Sequence, residues 1–281
     1  MPRIHPTATV DGAAELADDV EIGPYCLVEG DVSIGAATRL LSHAVVRRYS
    51  RLGAGNVVYP GAVLGGEPQD LKFDPAIVSY LQIGEGNVFR EGVTIHRATH
   101  PGGATRVGHS TYWMANSHAG HDSVICDEAI LINGAVLAGH TELGRRAILS
   151  AYAGVHQFCW VGQMALIQGS AVATMHVPPY VLLAGDVNSV AGLNVVGMRR
   201  AGLTSEDRRQ IQEAFRITYR AGISPAKALE QMEACTDWGQ PADQFRQFIR
   251  RVLGARKPYH RGLCPFRGAR KGQSHDEIER E

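Results

Sequence analysis

Long apolar runs are missing from this 281-residue chain. No stretch approaches ~18 consecutive apolar residues, so no segment is expected to cross a membrane. No positively charged segment followed by an apolar run opens the chain, which argues against an ordinary export signal. An excess of one charge is missing too. Lys+Arg and Asp+Glu stand at 28 each, so the overall charge favours neither a nucleic acid nor an acidic lipid as partner. Aromatic residues make up only 7%, whereas glycine is plentiful at 32, a balance that suits many tight turns better than a helical bundle. Paired cysteines are lacking as well. Cys26, Cys126, Cys159, Cys235 and Cys264 are odd in number, far apart and free of any CxxC pair, and they read as reduced thiols of a cytoplasmic protein.

What the chain does have is a period of six. Aliphatic residues recur at Ile4, Val10, Leu16, Ile22, Val28, Ile34, Leu40, Val46, Leu52, Val58 and Leu64. Four residues after each stands mostly a small or β-branched residue, such as Ala8, Ala14, Val20, Cys26 and Val32. The series breaks across "GEPQDLKFDPAIVSYLQ" (66–82) and restarts one residue out of phase at Ile83, Phe89 and Ile95. A second excursion at about 100–106 precedes Val107, after which the period holds through Val161 and Ile167. Six matches neither a helical stripe nor plain strand alternation. It matches short strands turning a corner every six residues, three to a coil, stacked into the prism of a parallel β-helix with aliphatic residues inside.

Beyond about residue 190 the pattern becomes helical. "LTSEDRRQIQEAFRITYRAG" offers Thr204 as N-cap, Ile211, Phe215 and Tyr219 on one stripe, and Gly222 as a stop. "SPAKALEQMEACTDWG" and "PADQFRQFIRRVLG" read as two further amphipathic helices, the last with Phe245, Phe248, Ile249 and Val252 inward. The expected organisation is a β-helix over 1–190, a helical domain over 191–256 and a disordered tail over 257–281, which has little to bury.

Coil geometry gives the histidines of "NSHAGHD" (116–122) an address. Positions eighteen apart stack, which puts His121 under Gly139 and Gln157, Asp122 under His140, and Gly120 under Ala138 and His156. His118, His121, His140 and His156 avoid the interior positions and should crowd one outer region. Three readings follow. An imidazole could serve as general base, with Asp122 orienting it and the Gly139 N–H receiving an oxyanion. Three imidazoles could hold Zn²⁺. Outward histidines on turns could also be solvated and idle. Clustering counts against idle histidines, and the absence of the two histidines five apart seen in γ-class carbonic anhydrases counts against metal, so the acid–base reading ranks first and the metal reading a distant second.

The segments "PQDLKF" (68–73), "VTIHR" (93–97), "SHAGHD" (117–122), "LAGH" (137–140), "VHQFC" (155–159), "VPPYV" (177–181) and "GLNVVGMRRAGL" (192–203) occur in this order. The sequence thereby resembles the UDP-N-acetylglucosamine acyltransferases that begin lipid A synthesis, to about residue 254. The resemblance implies a left-handed β-helix and a homotrimer with its sites between neighbouring prisms, and no cofactor or metal. It implies transfer of an (R)-3-hydroxyacyl chain from acyl carrier protein to the glucosamine 3-hydroxyl of UDP-N-acetylglucosamine. In that scheme His121 is the base, Asp122 its partner and Gly139 the oxyanion donor. Asp70, Lys72, His118, His140 and His156 would surround sugar and thioester, while Gln157, Asn194 and Arg200 would address the nucleotide. Gly169 matches the position that limits acyl length. Arg199, Arg200, Arg208, Arg209, Arg216 and Arg220 could dock the acidic carrier protein.

Two features depart from the family pattern. Val196 stands where a glutamate is common, and "YWMANSHAG" is bulkier than the usual run before the base. They leave open a coenzyme A donor or an acceptor with a 3-amino group. The related N-acyltransferase carries an extra N-terminal uridine-binding domain, and hexads beginning at Ile4 argue against one here.

Overall fold

The computed structural model describes residues 1–185, 188–235 and 237–267. Among these residues, twenty-eight strands of two to four residues form three sheets of 11, 9 and 8 strands, the faces of a prism. The first face begins with Arg3–Ile4, the second with Thr9–Val10 and the third with Glu15–Leu16. Strands on one face pair in parallel at a spacing of eighteen residues, as in Glu21↔Arg39 and His118↔Val136↔Gly154. The winding is that of a left-handed parallel β-helix. The last pairing is the exception, with Val181–Leu183 antiparallel to Val190–Leu193.

The interior is built by the hexad residues. Ile22, Val28, Ile34, Leu40, Val46, Leu52, Val58 and Leu64 are all at most 4% exposed. Each such side chain contributes roughly 1.5–3 kcal/mol by leaving water. Ile4, in the first coil, is 43% exposed because no coil lies beneath it. The corners admit small or polar residues that satisfy one another. Asn87 Nδ2 donates to Asn56 Oδ1 (2.9 Å), Thr111 Oγ1 to Asn87 Oδ1 (2.6 Å), and Trp113 Nε1 to Thr111 Oγ1 (2.8 Å).

Two coils are longer than the rest. Val63 pairs with Thr94, and Thr94 with His118, so these coils carry extra chain as loops over 67–79 and 97–103. Residues 104–106, read from sequence as part of the second excursion, belong to the third face, because Ala104–Val107 pairs with Tyr80–Ile83. Both loops leave the prism at the corner between second and third faces.

Four helices follow among the described residues: α1 (Val195–Arg200), α2 (Ser205–Tyr219), α3 (Pro225–Glu233) and α4 (Gln240–Leu253). Thr204 caps α2 through a reciprocal bond with Asp207, and Ser224 caps α3 ahead of Pro225. Arg251 of α4 ties the bundle to the third face with two bonds to Glu142 (2.8 and 2.6 Å), its guanidinium 3.7 Å from the Trp160 ring centroid. The expected disordered tail is corrected for residues 257–267. Cys264 N donates to His176 O (2.9 Å), Val190 N donates to Pro265 O (2.8 Å), and Cys264 is wholly buried. Tyr259, Leu263, Cys264 and Phe266 supply the apolar contacts that a composition dominated by Arg and Lys concealed. Residues 268–281 of the expected tail lie outside the described residues.

Candidate active site

The corner that carries both loops also carries His121 and Asp122. It is a tight turn whose third residue adopts positive φ: +59° at Asp122, +58° at His140 and +63° at Phe158 in successive coils. That conformation aims three side chains outward along one edge.

Asp122 sits at the centre. Its side chain is 5% exposed, and its carboxylate accepts from Thr99 Oγ1 (2.7 Å) and Thr99 N (3.1 Å) in the second loop. His121 Nδ1 lies 2.8 Å from Oδ2 and His100 Nδ1 3.1 Å from Oδ1, with His140 Nε2 at 3.7 Å. Burial alone would raise the Asp122 carboxyl, but the bonds from His121 and Thr99 and the nearby His140 outweigh it and hold the pKa at about 2. An ionised carboxylate only accepts, so His121 carries its proton on Nδ1 and presents a lone pair on Nε2. The His121 side chain remains 16% exposed, within reach of a substrate.

Gly139 stands directly against that ring. A Cβ on residue 139 would meet His121 Cε1 at 2.5 Å and Nε2 at 2.7 Å. Among the described residues no acceptor takes the Gly139 N–H. Pro24, Pro60 and Pro179 hold the same place in their own turns, just before positive-φ residues, so the fold does not need an N–H there. The result is a spare donor beside an imidazole lone pair.

The remaining expected residues are distributed around this pair. His118 is on the second face, its Nδ1 2.8 Å from Thr94 Oγ1, and burial with the neighbouring His96 and His121 pushes its pKa down to about 4. His140 is stacked on Phe158 (4.8 Å) and edge-on to His121 (5.0 Å). Burial lowers the His140 pKa, the Asp122 carboxylate pulls it the other way, and Asp70 of the first loop adds a weaker pull of the same sign. Asp70 and Lys72 are exposed, and Asp70 Oδ1 accepts from Lys72 N (2.9 Å). His156 and Gln157 lie exposed one coil above His140 on the same edge, with His156 Nδ1 3.2 Å from its neighbour's carbonyl oxygen.

Three expected residues lie away from this edge. Gly169 is at the corner between first and second faces. A Cβ there would find only Ala151 O at 3.4 Å, so the backbone does not demand glycine. Asn194 commits its amide to Gly197 N and Met164 O (both 2.9 Å), which fixes the start of α1. Arg199 and Arg200 at the end of α1 are exposed, as is Val196. Of the other basic candidates, Arg209 and Arg216 pair with Glu206 and Glu213 within α2, Arg208 bonds Leu203 O, and Arg220 lies over Phe215 and Phe266.

Thr99, His100 and Tyr259 reach the edge without having been expected there. Tyr259 shares a cavity of about 310 Å³ with His100, Arg106, Asp122 and His140. The first two sit inside a loop whose path the hexad count cannot follow, and Tyr259 is 138 positions from His121. The arrangement can do acid–base chemistry on a hydroxyl and stabilise an oxyanion. His121, Asp122 and His140 also place one ligand atom each within 4.8 Å of one another, a spacing a divalent cation could use.

Residues 176–264 match the family model described as UDP-N-acetylglucosamine O-acyltransferase, domain 2. The acyl-(acyl-carrier-protein) UDP-N-acetylglucosamine O-acyltransferase of Anaeromyxobacter sp. (strain Fw109-5) is 42% identical over 88% of this chain and 96% of its own. That of Stenotrophomonas maltophilia (strain R551-3) is 37% identical over 92% of this chain and 97% of its own. The solved UDP-N-acetylglucosamine acyltransferase of Francisella novicida superposes with a TM-score of 0.88 at 33% identity, covering 94% of this chain and 95% of the other. The corresponding Bacteroides fragilis structure gives 0.86 at 33% identity over 92% and 99%. With relatives this similar over nearly the full length, the chain belongs to the acyl-carrier-protein-dependent UDP-N-acetylglucosamine O-acyltransferase family.

Proposed function

We propose that this protein transfers an (R)-3-hydroxyacyl chain from acyl carrier protein to the 3-hydroxyl of UDP-N-acetylglucosamine, the first step of lipid A biosynthesis. The observation that carries the reading is the His121 lone pair beside the spare N–H of Gly139, with Asp122 behind the ring. His121 Nε2 takes the proton of the sugar 3-hydroxyl as its oxygen attacks the thioester carbonyl. The Gly139 N–H donates to the oxyanion that forms, and Asp122 stabilises the imidazolium. Collapse breaks the C–S bond, and the departing thiolate recovers the proton from His121. Product, free carrier thiol and neutral imidazole result.

Asp70, Lys72, His118, His140 and His156 are proposed to surround the reacting groups, with Gln157, Asn194 and Arg200 towards the nucleotide. Asn194 would act there by setting α1, which carries Arg200. On the second face Val136 and Val172, 42% and 47% exposed, flank Gly154 above His118 and lead to the coil of Gly169. This apolar track of about 14 Å (three strand spacings of about 4.8 Å) suits an acyl chain. A ligand reaching from the catalytic edge to Gly169 or Arg200 would be enclosed between neighbouring prisms, which supports a homotrimer. Arg199 and Arg200, free of the intrahelical pairs of α2, are the basic residues best placed for the acidic carrier protein.

Among the described residues no helix is long and apolar enough to cross a membrane. All five cysteines are free thiols, which supports a cytoplasmic location. Mass spectrometry of the product from UDP-N-acetylglucosamine and a mixed-length pool of hydroxyacyl carrier proteins tests the reading. It predicts a 3-O-acylated sugar nucleotide, and no acylated sugar from any donor contradicts it.

A further inference from the structure

The first loop, 67–79, carries Asp70 and Lys72 out from the prism, and its apex has almost no packing of its own. Leu71 is fully exposed, as are Asp70 and Lys72 on either side. What fixes it in place lies at its two ends, where a backbone bond from Gly102 N to Val78 O (2.9 Å) is joined by attachments from two adjacent residues, His96 and Arg97. His96 Nδ1 hydrogen-bonds the Glu67 carbonyl at the start of the loop. Arg97 Nη1 donates to Ile77 O (2.5 Å) and Ser79 Oγ (3.1 Å) at its end, and Nη2 reaches towards Pro75 O at 3.5 Å. The guanidinium also lies 4.9 Å from the Phe73 ring centroid and 5.4 Å from that of Tyr49. Ser79 passes the contact on by donating to Ala98 O.

Arg97 is the one lysine or arginine buried among the described residues, its side chain 2% exposed. Burial of that charge is costly, and depresses its pKa. The nearest carboxylate, Glu67, is 3.9 Å away and 51% exposed, a weak compensation. For stability alone, an apolar side chain of similar length would serve as well or better. A planar fork that gathers two carbonyls and a hydroxyl from the end of one loop does something else: it gives that loop a single conformation.

We propose that Arg97 is a positioning residue for the reaction, its guanidinium pinning the 67–79 loop so that Asp70 and Lys72 are held in one place to meet the substrate. The proposal rests on the reading that Asp70 and Lys72 meet the substrate. Lys72 itself provides a readout independent of activity, since trypsin cleaves after an accessible, mobile lysine. In full-length Arg97→Met, cleavage after Lys72 should quicken by about 10-fold as the loop opens locally. KM for UDP-N-acetylglucosamine should rise and kcat/KM should fall by on the order of 10- to 100-fold, the usual cost of a small misplacement. The melting temperature should hold or rise, because the buried charge is gone. Arg97→Lys, which keeps the charge without the fork, should fall between wild type and Arg97→Met in both cleavage and KM. The proposal is overturned if Arg97→Met resists trypsin at Lys72 as the wild type does. It is equally overturned if melting drops and cleavage quickens along the whole chain, the mark of a purely structural role. Faster cleavage with unchanged KM also overturns it. Asp70→Asn then shows where the failure lies: an unchanged KM there faults the reading of the loop, and a raised one faults the link to Arg97.

Discussion

The His121 imidazole fills the space that any side chain at residue 139 would need, with Nε2 only 2.7 Å from where a Cβ would sit. Gly139→Ala should therefore push the ring off its line to Asp122 while leaving the turn intact, since equivalent places accept proline and glutamine. Expected is a loss of about 10²- to 10³-fold in kcat, as for a displaced base or a misaimed oxyanion donor. The melting temperature should stay within a few degrees of wild type. Steady-state kinetics alongside a thermal melt checks both.

Acid should weaken the protein through His118. Its pKa is about 4 when folded, against 6.5 for the free side chain. A histidine depressed in this way binds its proton less readily folded than unfolded. Its share of stability is therefore intact above the unfolded value and lost as pH falls from about 6.5 to about 4. Between pH 7 and pH 5 that amounts to about 2 kcal/mol from this residue. Urea unfolding at the two pH values should show it, and His118→Gln should show a correspondingly smaller difference.

The eighteen-residue stacking legible in the sequence is the register found: His118 pairs with Val136, and His140 N donates to His121 O across one coil (2.9 Å). That is why Gly139 could be placed over His121 by counting alone. Counting fails where a coil has extra length. Thr99 and His100 meet Asp122 because a 24-residue coil folds its surplus back over the corner, and no period reports such a path. The strap through Tyr259 and Cys264 was hidden for another reason. Its contacts are with residues far back in the chain, from Tyr219 and Phe215 to His176 and Met175, so its own composition reads as solvated. Asn194 shows the limit for single residues: its type suits a ligand contact, yet its amide is spent on the backbone.

Gly169→Met should shorten the preferred acyl chain. The backbone tolerates a side chain here, with the nearest obstacle at 3.4 Å, so the added bulk projects outward without disturbing the coil and, on the proposed role of Gly169, into the path of the acyl chain. Competition between hydroxyacyl donors of different length, read by mass spectrometry, should favour shorter donors in the variant by about 10-fold or more, the worth of a few lost methylene contacts.

Tyr259 stacks on Trp160 and meets Phe158 edge-on, both at 5.4 Å, and Phe158 in turn stacks on His140. Tyr259→Ala should cost about 1–3 kcal/mol of stability through the two lost ring contacts. It should also raise KM by loosening the wall of the cavity it shares with Asp122 and His140. Tyr259→Phe, which keeps the rings, should recover the stability.

The central claim is that His121 is the base, and the most direct measurement is the turnover of His121→Ala with UDP-N-acetylglucosamine and a 3-hydroxyacyl carrier protein at saturation. Loss of about 10²- to 10⁴-fold in kcat is predicted, with the melting temperature close to wild type. Turnover within a few-fold of wild type would contradict the account.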